Sequence, residues 1–551
     1  MSQPDIRWAG PRALLIEVES LDAVLALHSE LLENPLAGQV DVLAAARTVL
    51  AVFDSRAAAR AARSAVALLD AAASFDRAAS GDPVRIEVVY DGEDLVEVGQ
   101  LTGLGPEGVV AAHTGQLWTA AFGGFAPGFA YLVGENTALN VPRRSTPRTA
   151  VPAGSVALAG NFSAVYPRNS PGGWQLIGRT AARMWDLDRE QPALVKPGTR
   201  VQYVAVRELV ELPAGPSEGA GAGSPSPHTA AQGVKVRETA VEVLDPGPQS
   251  LIQDLGRPGL GDLGVSPSGA ADAASARQAN RLVGNPPGDA VVENVFGGLT
   301  IRARGQLTAS LSGAPVPAEI ESGSGTRTAP MYAPFALHDG EILRLDRPVS
   351  GLRTYLAVRG GIVVPPVLGS RSTDLMSGIG PAPLAAGTVL PVGAVEHGRV
   401  VGTPEPPALP DLLLSAVAGP PVVLRITPGP RQDWFIPASQ EALTGQTWTV
   451  TAESNRIGVR LDTNGTGSPL ERARTEELPS EGAVAGSLQV PPSGLPVLFL
   501  ADHPVTGGYP VIAAVIPEDL PVAAQLSPGT ALKFVAVDPE TLQPLTSSTS
   551  L

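Results

Sequence analysis

The chain has 551 residues, a net charge of −15, 44% hydrophobic and 17% charged residues, and no cysteine. At roughly 100–200 residues per domain, that length implies three or four cores. The acidic balance argues against nucleic acid or an anionic membrane surface as the main partner. A cysteine-free chain has no disulfide, thiol nucleophile or thiolate metal site.

The opening "MSQPDIRWAG" has no basic segment leading into an apolar one, and no apolar run reaches the roughly 18 residues that span a bilayer, so a cytoplasmic protein is expected. Strands are predicted at 12–18, 47–54 and 83–90, with amphipathic helices at 20–33 and 55–75. This β-α-β-α-β order predicts a small ferredoxin-like α/β domain over 1–90. From 91 to 212 short strands with Gly/Pro punctuation predict a β domain, with one helix near 105–121. Residues 213–232, "PAGPSEGAGAGSPSPHTAAQ", read as a linker. Residues 233–540 are again mostly short strands, with a helix at 272–284 and Asp272 as its N-cap. The tail 541–551 reads as frayed. The fold class is therefore mainly β with an α+β N-terminal part.

One pattern occurs twice. "GSVALAG" (154–160) leads to "PGGWQLI" (171–177), and "GSLQVPP" (486–492) leads to "TGGYPVI" (506–512). Each pairs a Gly-Ser strand start with a Gly-Gly-aromatic turn, which points to a duplicated β-barrel module. Lysine occurs only at Lys196, Lys235 and Lys533, never as Gly-Lys-Ser/Thr, so there is no Walker A loop. Bound phosphate would need arginine, backbone N–H groups or a metal.

The stretches "HTGQLWTAAFGGFAPGFAYL" (113–132), "PRRSTPRTAVPAGSVALAG" (142–160) and "AVYPRNSPGGWQLIGRT" (164–180) resemble the KipI/allophanate-hydrolase-subunit-1 family. "SLIQDLGRPGLGDLGVSPSGAAD" (250–272), "TYLAVRGGIVVPPVLGSRSTDL" (354–375), "ESNRIGVRL" (453–461) and "AGSLQVPPSGLPVLFLADHPVTGGYP" (485–510) resemble its partner family, KipA/allophanate-hydrolase-subunit-2. The resemblance implies a fusion of the B and C components of 5-oxoprolinase, with cyclophilin-like β-barrels after the small α/β domain. The C-terminal half would hold two barrel subdomains. The implied reaction converts 5-oxoproline, ATP and water to glutamate, ADP and phosphate. It implies Mg²⁺ with the ATP and a LamB/YcsF-like subunit as partner; a homo-oligomer stays open. Two alternatives remain: a carboxyltransferase component of urea carboxylase metabolism, and a KipI-type regulator that binds a histidine kinase. Covalent biotin is not expected, because Met1, Met184, Met331 and Met376 precede Ser, Trp, Tyr and Ser rather than Lys.

Phosphoryl transfer to a lactam oxygen needs positive charge and positioning, and a substrate carboxylate suits arginine. In the N-terminal half the candidate catalytic residues are His113, Arg148 and Arg179, with Arg143 as a further anion clamp. Gly172 and Gly173 are read either as an anion nest or as a plain turn. Phe125, Phe129 and Tyr131 form an expected apolar wall, and Asn161, Tyr166 and Ser170 complete the candidate contacts. In the C-terminal half Asp254, Arg371 and Glu481 are catalytic candidates. Gln253, Arg257, Ser268, Asp374, Arg456, Gln489, Thr506, Gly507, Gly508 and Tyr509 are binding candidates. No spacing identifies metal ligands.

Overall fold

The computed structural model describes residues 4–68, 82–209, 239–409 and 419–545. These fall into two compact units, one within Met1–Phe75 and Glu238–Leu551, the other within Asp76–Arg237. The predicted linker 213–232, residues 69–75 of the second predicted helix, and 546–551 lie outside the described residues.

The chain begins with an antiparallel sheet in the order Asp5–Trp8, Ala13–Glu17, Thr48–Phe53, Gln39–Ala44. The helix Leu21–Glu33 starts where the Ser20 side chain accepts from the Ala23 N–H, and it buries Val24, Leu27, His28 and Leu31 on one face. The helix Arg56–Val66 is capped in the same way by Ser55 and packs Ala59, Ala62 and Val66. The arrangement is ferredoxin-like, with its edge strand supplied by Asp5–Trp8. The predicted strand at 83–90 forms as Val84–Val88 but pairs in parallel with Arg200–Ala205 in the other unit. That register buries Ile86 and Val88 completely, which the edge of the small sheet would not do.

The second unit is a seven-stranded sheet in the order Val84–Val88, Arg200–Ala205, Trp118–Gly123, Ala130–Gly134, Phe162–Val165, Ser155–Ala159, Gln175–Arg179. Two backbone hydrogen bonds of 2.9 Å between Val89 and Arg179 join its two edges, so the sheet wraps into a barrel. The helix predicted near 105–121 is shorter than expected, running Gly105–Thr114 behind another helix, Leu95–Thr102. Gly103 and Gly105, both at positive φ, separate them, and Trp118 already begins a strand.

In the first unit, residues 240–391 form a six-stranded and a five-stranded sheet that share one core, with Val241, Ile301 and Leu343 meeting Ile252, Val292 and Leu356. The predicted pair of barrels in the C-terminal half thus resolves into this sandwich and one closed barrel. The predicted helix forms as Ala273–Val283, with the Asp272 carboxylate accepting from the Ser275 N–H at 2.9 Å. The closed barrel runs Val422–Pro428, Ala531–Ala536, Trp448–Val450, Gly458–Asp462, Val497–Phe499, Ser487–Gln489, Val511–Val515. Matched strand for strand, this is the order of the first barrel, including the parallel first pair. Even a side-chain detail repeats: Trp118 Nε1 donates to the His113 carbonyl, and Trp448 Nε1 to the Leu443 carbonyl. The repeated sequence pattern marks a duplicated barrel. No helix among the described residues is long and apolar enough to cross a membrane.

Candidate functional site

At one end of the first barrel the ribbon Arg148–Val151 and Ser170–Gly172 pairs, with Gly172 opposite Arg148. Arg148 grips Asp94 with both terminal nitrogens at 2.9 Å, and Arg144 reaches the same carboxylate at 2.6 Å. Burial pushes the Asp94 carboxyl up. The hydrogen bonds from Arg148 and the Leu176 N–H, with the charge of Arg144, outweigh it and hold the group below the usual carboxylate range. Beside this pair, Phe125, Phe129, Tyr131, Tyr166 and Trp174 form an aromatic cluster with centroids 4.9–5.6 Å apart, mostly edge to face.

Gly172 is required by this cluster. A Cβ there would collide with the Tyr166 hydroxyl, whereas at Gly173 the nearest atom is an ordinary 3.8 Å away. Gly172 therefore lets the protein's own tyrosine approach the backbone. Burial raises the Tyr166 hydroxyl to about 12. The buried Ser170 hydroxyl has no hydrogen-bond partner among the described residues. Arg143 lies near enough to Tyr166 to act on it electrostatically. Asn161 stands apart from the cluster, exposed in the two-residue turn after Ser155–Ala159.

Two candidates in this unit need correction. His113 is fully buried, with Nδ1 2.7 Å from the Tyr90 hydroxyl and Nε2 2.9 Å from Ser163 Oγ. Burial pulls its pKa down to about 3, so it is a neutral core residue rather than an accessible acid or base. Arg179 closes the barrel through its backbone, while its exposed side chain pairs with the exposed Asp91 at 2.9 Å. Such a pair is screened by water.

The first unit gathers most of the remaining candidates. Gln253, Asp254 and Arg257 lie against Ser370–Asp374. The Asp254 carboxylate accepts from Ser370 Oγ, Ser372 Oγ and the Gly256 and Arg371 N–H groups, all within 2.5–2.8 Å. Arg371 Nε donates to the Val364 carbonyl. Asp254 is thus the organiser of this turn, which corrects its expected catalytic role, and it holds the backbone of Arg371. Next to the turn, Arg456, 1% exposed, binds Asp502 at 2.8 and 3.0 Å and Glu293 at 2.6 Å. Ser268 Oγ donates to Asp502 at 2.7 Å, and Tyr355 donates to Glu293 at 2.8 Å. Glu293 is pushed up by burial and brought below its ordinary value by Arg456 and Arg353.

Three buried polar atoms of this cluster have no hydrogen-bond partner among the described residues: Arg257 Nη1, Asp374 Oδ2 and Gln253 Oε1. Their residues are bound to one short segment. Gln253 Nε2 donates to the Thr373 carbonyl and Arg257 Nη2 to the Ser372 carbonyl. Burial, then the neighbouring Asp502 charge, raises the Asp374 carboxyl. The arrangement presents one cationic donor and two acceptors within a buried polar cluster.

At the matching end of the second barrel, Glu481–Gly482 pairs with Thr506–Gly507, with Gly507 opposite Glu481. Glu481 is bound by Arg431, which also takes Glu17 of the small sheet at 2.8 Å. Its expected catalytic role is corrected: the carboxylate is committed to a buried ion pair that fastens the small sheet to the barrel. Gln489 Nε2 donates to the Tyr509 carbonyl, and Arg472 lies 5.6 Å over the Tyr509 ring. Local sequence pattern does not single out Asp94, Arg144, Tyr355 or Arg431, whose partners lie far away in the chain. Glu293 carried a signal, a carboxylate inside the apolar run "AVVENVF".

Residues 263–536 match the family described as carboxyltransferase domain, subdomain A and B, and residues 4–195 match carboxyltransferase domain, subdomain C and D. Over 301 residues, 54% of this chain and 90% of the relative, the chain is 36% identical to the C component of 5-oxoprolinase from Escherichia coli. Over 135 residues, 24% of this chain and 62% of the relative, it is 42% identical to the B component of 5-oxoprolinase from Haemophilus influenzae. The crystal structure of TTHA0988 matches with a TM-score of 0.77 at 35% identity, covering 95% of this chain and 99% of that one. The chain belongs to the carboxyltransferase-domain family that includes these 5-oxoprolinase components. Within it, the B-like and C-like parts share one polypeptide.

Proposed function

We propose that this chain is the fused B–C component of an ATP-dependent 5-oxoprolinase, which activates 5-oxoproline for hydrolysis to L-glutamate together with a LamB/YcsF-like subunit. The observation that carries the reading is the polar cluster of Gln253, Arg257 and Asp374, in a chain similar to both named components. A lactam offers a carbonyl acceptor and an N–H donor side by side. In this reading Arg257 Nη1 meets the carbonyl oxygen, and Gln253 Oε1 or Asp374 Oδ2 accepts from the ring N–H. As the ring proton passes toward Asp374, negative charge moves onto the lactam oxygen, where arginine stabilises it before that oxygen attacks the γ-phosphoryl group. Transfer forms the O–P bond and expels ADP. Water then adds to the activated carbon, the C–N bond breaks to open the ring and leave an acyl phosphate with a free amine, and a second water releases phosphate and glutamate.

ATP would bring Mg²⁺ with it. Among the described residues no group of three or more His, Asp or Glu side chains stands ready to hold a metal. The test mixes the full chain with a LamB/YcsF-like subunit, 5-oxoproline and ATP, and measures glutamate and ADP. Stoichiometric, partner-dependent formation of both supports the reading; absence of turnover overturns it. Arg257→Lys, which keeps the charge but loses the fork, is expected to lower kcat at least tenfold.

A further inference from the structure

Where the small N-terminal sheet packs on the second barrel, both belonging to the first unit, the contact leaves a cavity of about 240 Å³. Ala9, Ala13, Leu50, Val505 and Ala514 form much of its wall. Five alanines and two glycines stand on the wall where larger side chains would otherwise interlock, which helps to keep the space open. Three polar residues share the wall, Arg12, Asp41 and His503.

His503 is only 3% exposed. Its Nδ1 lies 2.9 Å from the Pro504 carbonyl, which can only accept, so the proton sits on Nδ1. Burial keeps the ring neutral. Nε2 is then a bare acceptor, with no hydrogen-bond partner among the described residues. Phe499 stacks on the ring at 5.7 Å and 10°, which holds its orientation. A fixed acceptor in an apolar wall favours a ligand that brings one donor. Asp41 already receives the Val42 and Gly261 N–H groups, and Arg12 already pairs with Glu518 at 2.8 Å, so both charged groups of the wall are engaged within the protein and offer no counter-ion to a charged ligand.

We propose that this cavity is a second ligand site, separate from the polar cluster, for a compact neutral aromatic molecule carrying a single N–H donor that His503 Nε2 accepts. A dry aliphatic cavity of about 150 Å³ accommodates benzene, so the larger volume here suits a bicyclic ring of roughly nine or ten non-hydrogen atoms. The site does not depend on the proposed lactam chemistry. Its wall does adjoin it in sequence, since His503 follows Asp502.

Indole and benzothiophene make the test, being nearly the same shape with and without the donor. Titration calorimetry on the full chain is expected to show saturable one-to-one binding of indole, tighter than benzothiophene by roughly tenfold. Ala514→Leu fills the cavity and should weaken indole at least tenfold. His503→Leu keeps the cavity and should bring the two ligands to equal affinity. Circular dichroism and melting check that each variant is folded; if Ala514→Leu does not fold, His503→Leu alone decides. No saturable binding of indole, equal affinities in the unmodified protein, or a preference that survives His503→Leu would overturn the proposal.

Discussion

The two barrels share one strand order and differ in what that order is used for. In the first, the loop after Trp118–Gly123 sends Phe129 against Tyr166, with ring centroids 5.4 Å apart. In the second, the loop after Trp448–Val450 sends Arg456 to Asp502 and Glu293. The ribbons differ by a reversal of charge. Arg148 sits opposite Gly172 and binds Asp94, while Glu481 sits opposite Gly507 and binds Arg431. The equivalence of the charge sites is backed by the backbone, since the Asp94 N–H bonds the Leu176 carbonyl and the Arg431 N–H bonds the Val511 carbonyl. A barrel holds its shape through backbone pairing and an apolar interior, so its end can be rebuilt without altering the fold. One copy carries an aromatic cluster; the other uses a carboxylate and an arginine to hold neighbouring parts of its own unit.

The largest expected effect lies in the ion cluster of the second barrel. Arg456→Met leaves Asp502 and Glu293 buried without the cation that joins them and should cost about 3–5 kcal/mol in urea unfolding. A loss below about 1 kcal/mol would mean that the cluster is not what distinguishes this barrel.

The paired glycines give the next test. Gly172→Ala drives a methyl into the immobile Tyr166 ring and should destabilise by about 1–3 kcal/mol. Gly507→Ala meets only the end of the Gln489 side chain, which can swing aside, and should cost under about 1 kcal/mol. Equal losses would remove the asymmetry.

The charge reversal is open to a double-mutant cycle. Asp94→Arg and Arg148→Glu are each expected to destabilise the first barrel, and the double variant should recover about 1–2 kcal/mol relative to their sum. The unmodified pair has a sign that can be checked. Because the folded Asp94 carboxyl titrates below its unfolded value, its contribution is present above the unfolded pKa and is lost as pH falls. Asp94→Asn should therefore flatten the acid limb of the stability profile.

The smallest effect concerns the contact of the small sheet with the loop around Gly261. Burial and the neighbouring Asp262, itself paired with His28, raise the Asp41 carboxyl to about 6. A raised carboxyl stabilises below its unfolded pKa, and that contribution is lost as pH rises through about 6. The melting difference between the unmodified chain and Asp41→Asn should shift by roughly 1–2 °C from pH 5 to pH 7, in favour of the variant at pH 7.

Much of this was legible in the sequence. Apolar alternation and Gly/Pro punctuation located most strands, Asp272 marked its helix start, and the repeated Gly-Gly-aromatic pattern identified the duplication. These signals are local: a pattern of two or three to four residues reports which face of an element is buried, and a glycine reports a turn. Candidate residues drawn from the C-terminal stretches converged, since Gln253, Arg257, Ser268, Asp374 and Arg456 share one cluster. Their roles were less legible, because exposure and partners decide whether a charged side chain is free. His113, Arg179 and Glu481 have the right chemistry and the wrong surroundings.

By itself, then, the sequence determined a mainly β protein with a duplicated barrel and a small ferredoxin-like start. Only the tertiary structure decided that Met1–Phe75 belongs with Glu238–Leu551, that Val84–Val88 closes a barrel, and that Arg456 joins Glu293 to Asp502. Those outcomes depend on pairing between segments far apart in the chain. Such pairing is chosen by which buried surfaces and charges complete one another, and no local pattern encodes that choice.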